Sequence, residues 1–201
     1  MIRRGAYIRC MEKKIEIRNE EEYQQFLKAL PLYRSVFGRA VHFEIGSAVH
    51  PERVRDIETA LNIKSRKRRI EYIYDRGCDI VDRFNEENGA VCRFSGGRCE
   101  DPKHQRYPNG CCCHCYLQTS HGCPTKNLSC KFFFCDHMAK KYRYLSVGDV
   151  DLFRLLTPGQ RAIVRENVYV TKQTYLRLLW LGSYLLYCMY SVVKPFRMKN
   201  F

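Results

Sequence analysis

Apolar residues at helical spacing organise most of the chain. Behind Asn19, the residues Tyr23, Phe26, Leu27 and Leu30 share one helical face, Glu22 sits where a capping partner belongs, and Pro31 is the expected end. A short strand is expected just before, over 14–17, with mixed strand and loop over 32–49. Pro51, suited to the first helical position, opens a second stripe of Val54, Ile57 and Leu61. From Ser65 onward Ile70, Ile73, Tyr74, Gly77, Val81 and Phe84 predict a longer helix that ends near Asn88-Gly89. Helical patterning returns over 132–142, 147–156, 157–168 (with Thr157-Pro158 as cap and first position) and 171–192.

The last of these stretches is the most apolar. Its uncharged run, 178–193, is 16 residues long, short of the roughly 20 needed to cross a bilayer. It is therefore expected to be a buried core helix, and no membrane partner is expected. Between 91 and 137 the pattern breaks: Gly96-Gly97, Pro102, Pro108-Asn109-Gly110 and Gly122 punctuate a segment with no stripe longer than one turn. The expected fold class is mainly α, a helical domain with an inserted loop-rich cysteine and metal-binding module. In residue terms this is an N-terminal helical part over 1–90, the module over 91–137, and C-terminal helices over 138–201 that pack with the N-terminal part.

Cysteine usage turns that loop-rich segment into a chemical candidate. Of 12 cysteines, nine fall between Cys92 and Cys135. The N-terminus has basic residues but no apolar core before Glu12, so the chain is expected to be cytoplasmic. Disulfides do not persist in a reducing compartment, and clustered thiols there point to metal or redox chemistry. Cys112-x-x-Cys115, behind the Pro108-Asn109-Gly110 turn, has the spacing that lets two thiolates chelate one ion. Cys92, Cys99, Cys111, Cys123, Cys130 and Cys135 complete a set of eight candidate ligands, with Cys113 left over. Eight thiolates suit two tetrahedral zinc sites, or one [4Fe-4S] cluster and one zinc site. Spacing alone does not choose between zinc and iron-sulfur.

The run Gly110-Cys111-Cys112-Cys113-His114-Cys115, followed by Gly122-Cys123 and Cys130-Lys131-Phe132, resembles the Cys-rich zinc- or iron-chelating family that carries a CxxCxxCC-type cluster. The resemblance covers residues 92–135, and the family's leading Cys-x-x-Cys is replaced here by Cys92-x6-Cys99. It implies a metal site with up to eight cysteine ligands.

Charge adds a second candidate. Lys and Arg number 35 against 21 acids, a net charge of +14. The excess lies at the two ends, six against two over 1–18 and thirteen against four over 111–201. Thiolate-bound metal offsets part of it, since Zn²⁺ on four thiolates is about −2 overall. Such a distribution is the footprint of a protein that meets nucleic acid or another polyanion. The candidate contacts are Arg66, Lys67, Arg68 and Arg69 together with Lys126, Lys131, Lys140, Lys141 and Arg143. Tyr107, Tyr116, Tyr142 and Tyr144 lie among basic residues where bases would stack. An iron-sulfur redox or modification enzyme and a zinc-stabilised structural adaptor are the alternatives. The chain has no phosphate-binding glycine-rich motif, no HExxH, and Gln118 where a radical-type Cys-x3-Cys-x2-Cys run needs its third cysteine.

Overall fold

Alternation over 13–17 and 41–45 gives two strands, β1 (Lys13–Ile17) and β2 (Val41–Ile45), which pair in parallel from Lys13↔Val41 to Ile17↔Ile45. Ile17 and Phe43 are buried while Glu16 and Glu44 face solvent, as one covered sheet face requires. The structure, a computed structural model, describes residues 13–33, 41–46, 49–89, 127–134, 136–166 and 170–182. Those residues are mostly helical. Packing divides the chain into two units, 1–69 and 70–201.

In the first unit α1 (Glu20–Tyr33) connects the two strands. Asn19 Oδ1 accepts the Glu22 N–H at 2.9 Å, which starts the helix where its cap predicts. Pro31 does not end it, and the helix runs two residues further. Proline forfeits its own N–H bond and crowds the carbonyl four residues back, but it leaves the residues that follow it able to continue the helix, as they do to Tyr33. Tyr23, Phe26, Leu27 and Leu30 are all buried, and Phe26 meets Phe43 of β2 edge-on at 5.2 Å. Following β2, α2 (Pro51–Asn62) buries Val54, Ile57 and Ala60 completely. Gly46 is where β2 leaves the sheet: its N–H bonds Ile17 O at 2.7 Å, and a Cβ there would lie 2.3 Å from Arg18 O. Only glycine lets the two backbones come this close.

α3 (Arg66–Glu87) buries Ile70, Ile73, Tyr74 and Val81 at the expected spacing, and ends before Gly89, whose φ of +64° is the left-handed stop glycine favours. Gly77 faces the fully buried Phe153, and a Cβ would sit 2.5 Å from its ring. The second unit adds α4 (Leu128–Phe132), α5 (Asp136–Lys141), a 3₁₀ turn (Asp151–Leu155), α6 (Pro158–Arg165) and α7 (Lys172–Leu181). Three expectations change here. The helix expected over 132–142 is the shorter α5, preceded by a separate α4 that ends at Phe132, and the helix over 147–156 is a hydrogen-bonded turn followed by 3₁₀ structure. Asp149 Oδ2 accepts both the N–H and the hydroxyl of Ser146 at 2.7 Å, which fixes that turn. Beyond it Leu152, Phe153, Leu155 and Leu156 are all buried, a pairing at i and i+3 that suits three residues per turn. Third, α7 stops at Gly182, at φ +61°, whose N–H bonds Leu178 O at 3.0 Å. The rest of the expected 171–192 helix lies outside the described residues.

Among the described residues no helix is long and apolar enough to cross a membrane.

Candidate functional site

Of the cysteine-rich segment the structure describes the last part, from Asn127 before α4, and it also describes the residue that precedes the segment's start, Gly89 after α3. Both belong to the second unit. α4 has only five residues, too few to hold itself together in water, so its side chains must fasten it. Asn127 is 1% exposed and works at both ends of its amide: Oδ1 accepts the Cys130 N–H at 3.1 Å, and Nδ2 donates to Val170 O at 2.9 Å. Leu128 is fully buried and its backbone bonds the Tyr74 hydroxyl on α3.

Ser129, also buried, closes the cluster. Its hydroxyl reaches the Val164 and Ile163 carbonyls at 3.2 and 3.4 Å, and lies 2.7 Å from the Tyr175 hydroxyl. Carbonyls only accept, so the serine proton goes to them and Tyr175 donates to Ser129. Tyr74 and Tyr175 stand 5.4 Å apart, ring to ring. Burial is the main cause that raises both phenols above their usual range. Lys131 then pairs with Asp82 of α3, its side chain 12% exposed, and Phe132 meets Phe153 edge-on at 5.8 Å. α4 is thus bound to α3, to the end of α6, to the approach to α7 and to α7 itself.

Cys130 rides on this helix, half-buried, with its backbone N–H held by Asn127. Cys78, on α3, is the other described cysteine. Burial pushes its thiol up to about 12, partly offset by Lys131 and by a hydrogen bond from Tyr74. A thiol held protonated in this way is neither a ready ligand nor a ready nucleophile. Cys92, Cys99, Cys111, Cys112, Cys115, Cys123 and Cys135 lie outside the described residues, as does Lys126. Among the described residues no three His, Cys, Asp or Glu side chains come together as a metal site.

The basic candidates fall into separate settings. Arg66, Lys67 and Arg68 are exposed in the first turn of α3. Arg69 is buried, and its Nε and Nη2 donate to Ile63 O at 3.1 and 2.6 Å. Ile63 is the C-cap of α2, so this guanidinium satisfies a helix-end carbonyl, and burial lowers its pKa. Lys140 and Lys141 are exposed in the last turn of α5, where cations suit the helix dipole. Lys141 Nζ lies 5.1 Å above the Tyr142 ring, and the exposed Arg143 guanidinium lies 5.7 Å above Phe84. Sequence reasoning missed Asn127, Ser129 and the Phe134–Tyr144 ring pair, which stacks at 5.1 Å. An Asn placed three residues before Cys130 was a readable capping signal; the long-range partners of Asn127 and Ser129 had none.

No protein-family model, no curated protein and no solved structure matches the chain.

Proposed function

We propose that this chain is a cytosolic metal-binding protein. Its segment from Cys92 to Cys135 holds zinc or an iron-sulfur cluster, and its basic surfaces contact nucleic acid or another polyanion. The observation that carries the metal reading is the packing of nine cysteines into 44 residues, a density that loop geometry alone does not call for. The donor set is all thiolate, which suits Zn²⁺ and iron-sulfur ligation and not oxygen-loving cations. Its one described member, Cys130, sits on a helix fixed by Asn127 and Ser129, and rigid placement of a ligand favours binding. Cys92, Cys99, Cys111, Cys112, Cys115, Cys123 and Cys135 would supply the remaining sulfurs. The bound metal would tie loops that lack a core of their own.

Two exposed basic surfaces support the polyanion reading, Arg66 to Arg68 on α3, and Lys140 and Lys141 in the last turn of α5 with Arg143 just beyond it. Contacts of that kind release counterions, so affinity falls steeply as salt rises.

The test is purification without oxygen, followed by absorption spectra and assays for zinc, iron and acid-labile sulfide. About two zinc ions per chain, or iron with sulfide, is the expected result. Cys112→Ser with Cys115→Ser, and separately Cys130→Ser, should each lower the metal content. Brown protein with iron and sulfide would favour a redox or modification enzyme. Colourless zinc protein that binds no nucleic acid would favour a structural adaptor. Freshly reduced protein containing neither metal would overturn the proposal.

A further inference from the structure

Resting on the polyanion reading above, we propose that the Phe134–Tyr144 ring pair, set among Lys140, Lys141 and Arg143, is a platform on which the bases of a single nucleic-acid strand stack. The two rings lie 5.1 Å apart at 25°, a near-parallel stack that leaves Phe134 behind Tyr144. Tyr144 is nevertheless 44% exposed, and among the described residues it is the exposed large aromatic. A ring held rigid from behind and open to water has already lost the freedom that stacking on a base would otherwise cost.

Lys140, Lys141 and Arg143 lie within four residues of Tyr144 along the chain, and such cations suit a phosphate backbone. Lys140 and Arg143 are exposed, and Arg143 and Lys141 are held over the Phe84 and Tyr142 rings. Asp149 is held below its usual carboxylate range chiefly by two hydrogen bonds from Ser146 at 2.7 Å, with Arg143 a minor contributor, so its charge is partly satisfied within its own turn. Asp136, in the first turn of α5, stands at the opposite end of that helix from the two lysines. Aromatic faces beside cations are what single-strand binders use, because every base has a π face whatever its sequence. A duplex keeps its base faces inside its own stack, so a platform of this kind selects single strands, whereas cations alone do not.

Fluorescence anisotropy of the full chain with labelled oligouridylate, oligothymidylate and a hairpin-capped duplex of equal charge tests this at low salt. The expected result is tighter binding of the single strands, reduced about tenfold by Tyr144→Leu, which removes the ring and keeps apolar contact with Phe134. Duplex binding should be unchanged by that variant. Tyr144→Phe should bind as the wild type does, and Tyr144→Trp at least as tightly; weaker single-strand binding by folded Tyr144→Trp counts against the platform even if Tyr144→Leu fails to fold. Single-strand affinity unmoved by Tyr144→Leu, or wild-type affinity equal for strand and duplex, would overturn the platform and leave the polyanion reading standing. Failure of the wild type to bind any of the three would overturn both.

Discussion

Each unit of the molecule opens a helix with an asparagine, and the two asparagines do different work. In the first unit Asn19 is exposed and makes one capping bond, from Glu22 N. In the second, Asn127 is 1% exposed, caps α4 and also bonds Val170 O, 43 residues away along the chain. The first unit is held by apolar layers that its own neighbouring segments provide, Phe26 on Phe43 and Val54, Ile57 and Ala60 under α2. The second adds buried polar ties between distant segments: Asn127 to Val170, Ser129 to Val164, and Gln160 Nε2 to Leu179 O at 2.7 Å. A buried polar tie is worth little when made and much when broken, because the partner left behind has no water. The difference teaches that the part of the chain carrying the cysteine segment is specified by polar matching, not by apolar patterning alone.

The sharpest way to break the comparison is to cut both asparagines to alanine. Asn127→Ala removes a cap and strands the Val170 carbonyl, an expected loss of about 3 kcal/mol. Asn19→Ala removes an exposed cap only, for about 1 kcal/mol. Urea unfolding followed by hydrogen exchange, which reads the units separately, checks both values. Equal losses at the two sites would show that the Val170 bond adds nothing, and the contrast between the units would fail.

Much of this was legible in the residue pattern, and what was not has a common cause. Helices α1, α2 and α3 announced themselves because Asn19, Pro51 and Gly89 mark their ends locally and their stripes run for several turns. α6 was equally plain: Thr157 and Gln160 form a complete capping box within four residues. α4 is five residues long and carries no stripe, so it was not expected at all, the expected helix beginning at 132 where α4 ends, and its fastening through Ser129 and Tyr175 joins residues 46 apart in the chain. Arg69 looked like one more member of a basic run, yet it is the one of the four that turns inward to Ile63. Its three predecessors are exposed, and nothing in four consecutive cations tells which of them meets a carbonyl. The candidate metal site was legible as composition and spacing, and of its eight expected ligands Cys130 lies within the described residues.

A smaller effect, and one that sharpens the comparison from the side of the cysteines, comes from Cys78. Its thiol is pushed up to about 12, chiefly by burial, from an ordinary value of 9.0. Between those values the unfolded chain has lost this proton and the folded chain keeps it, so the folded state binds more protons and stability falls as pH rises. The contribution is fully present below about pH 9 and is lost as the pH climbs through about 12. Tyr74 and Tyr175, also raised by burial, act in the same direction at higher pH. One such proton costs about 1 kcal/mol between pH 9 and 10. The expected result is a melting temperature of the second unit that declines over this interval, with a shallower decline in Cys78→Ala, whose unfolded state has no thiol to ionise. An identical slope in that variant would mean that Cys78 is not held protonated by the fold. The same property separates it chemically from the metal candidates. Ligand thiols must ionise to bind, whereas Cys78 should resist alkylation near neutral pH in folded protein. Alkylation of metal-stripped, folded protein should therefore label the cysteines of the 92–135 segment well before Cys78, and early labelling of Cys78 would place it with the reactive thiols instead.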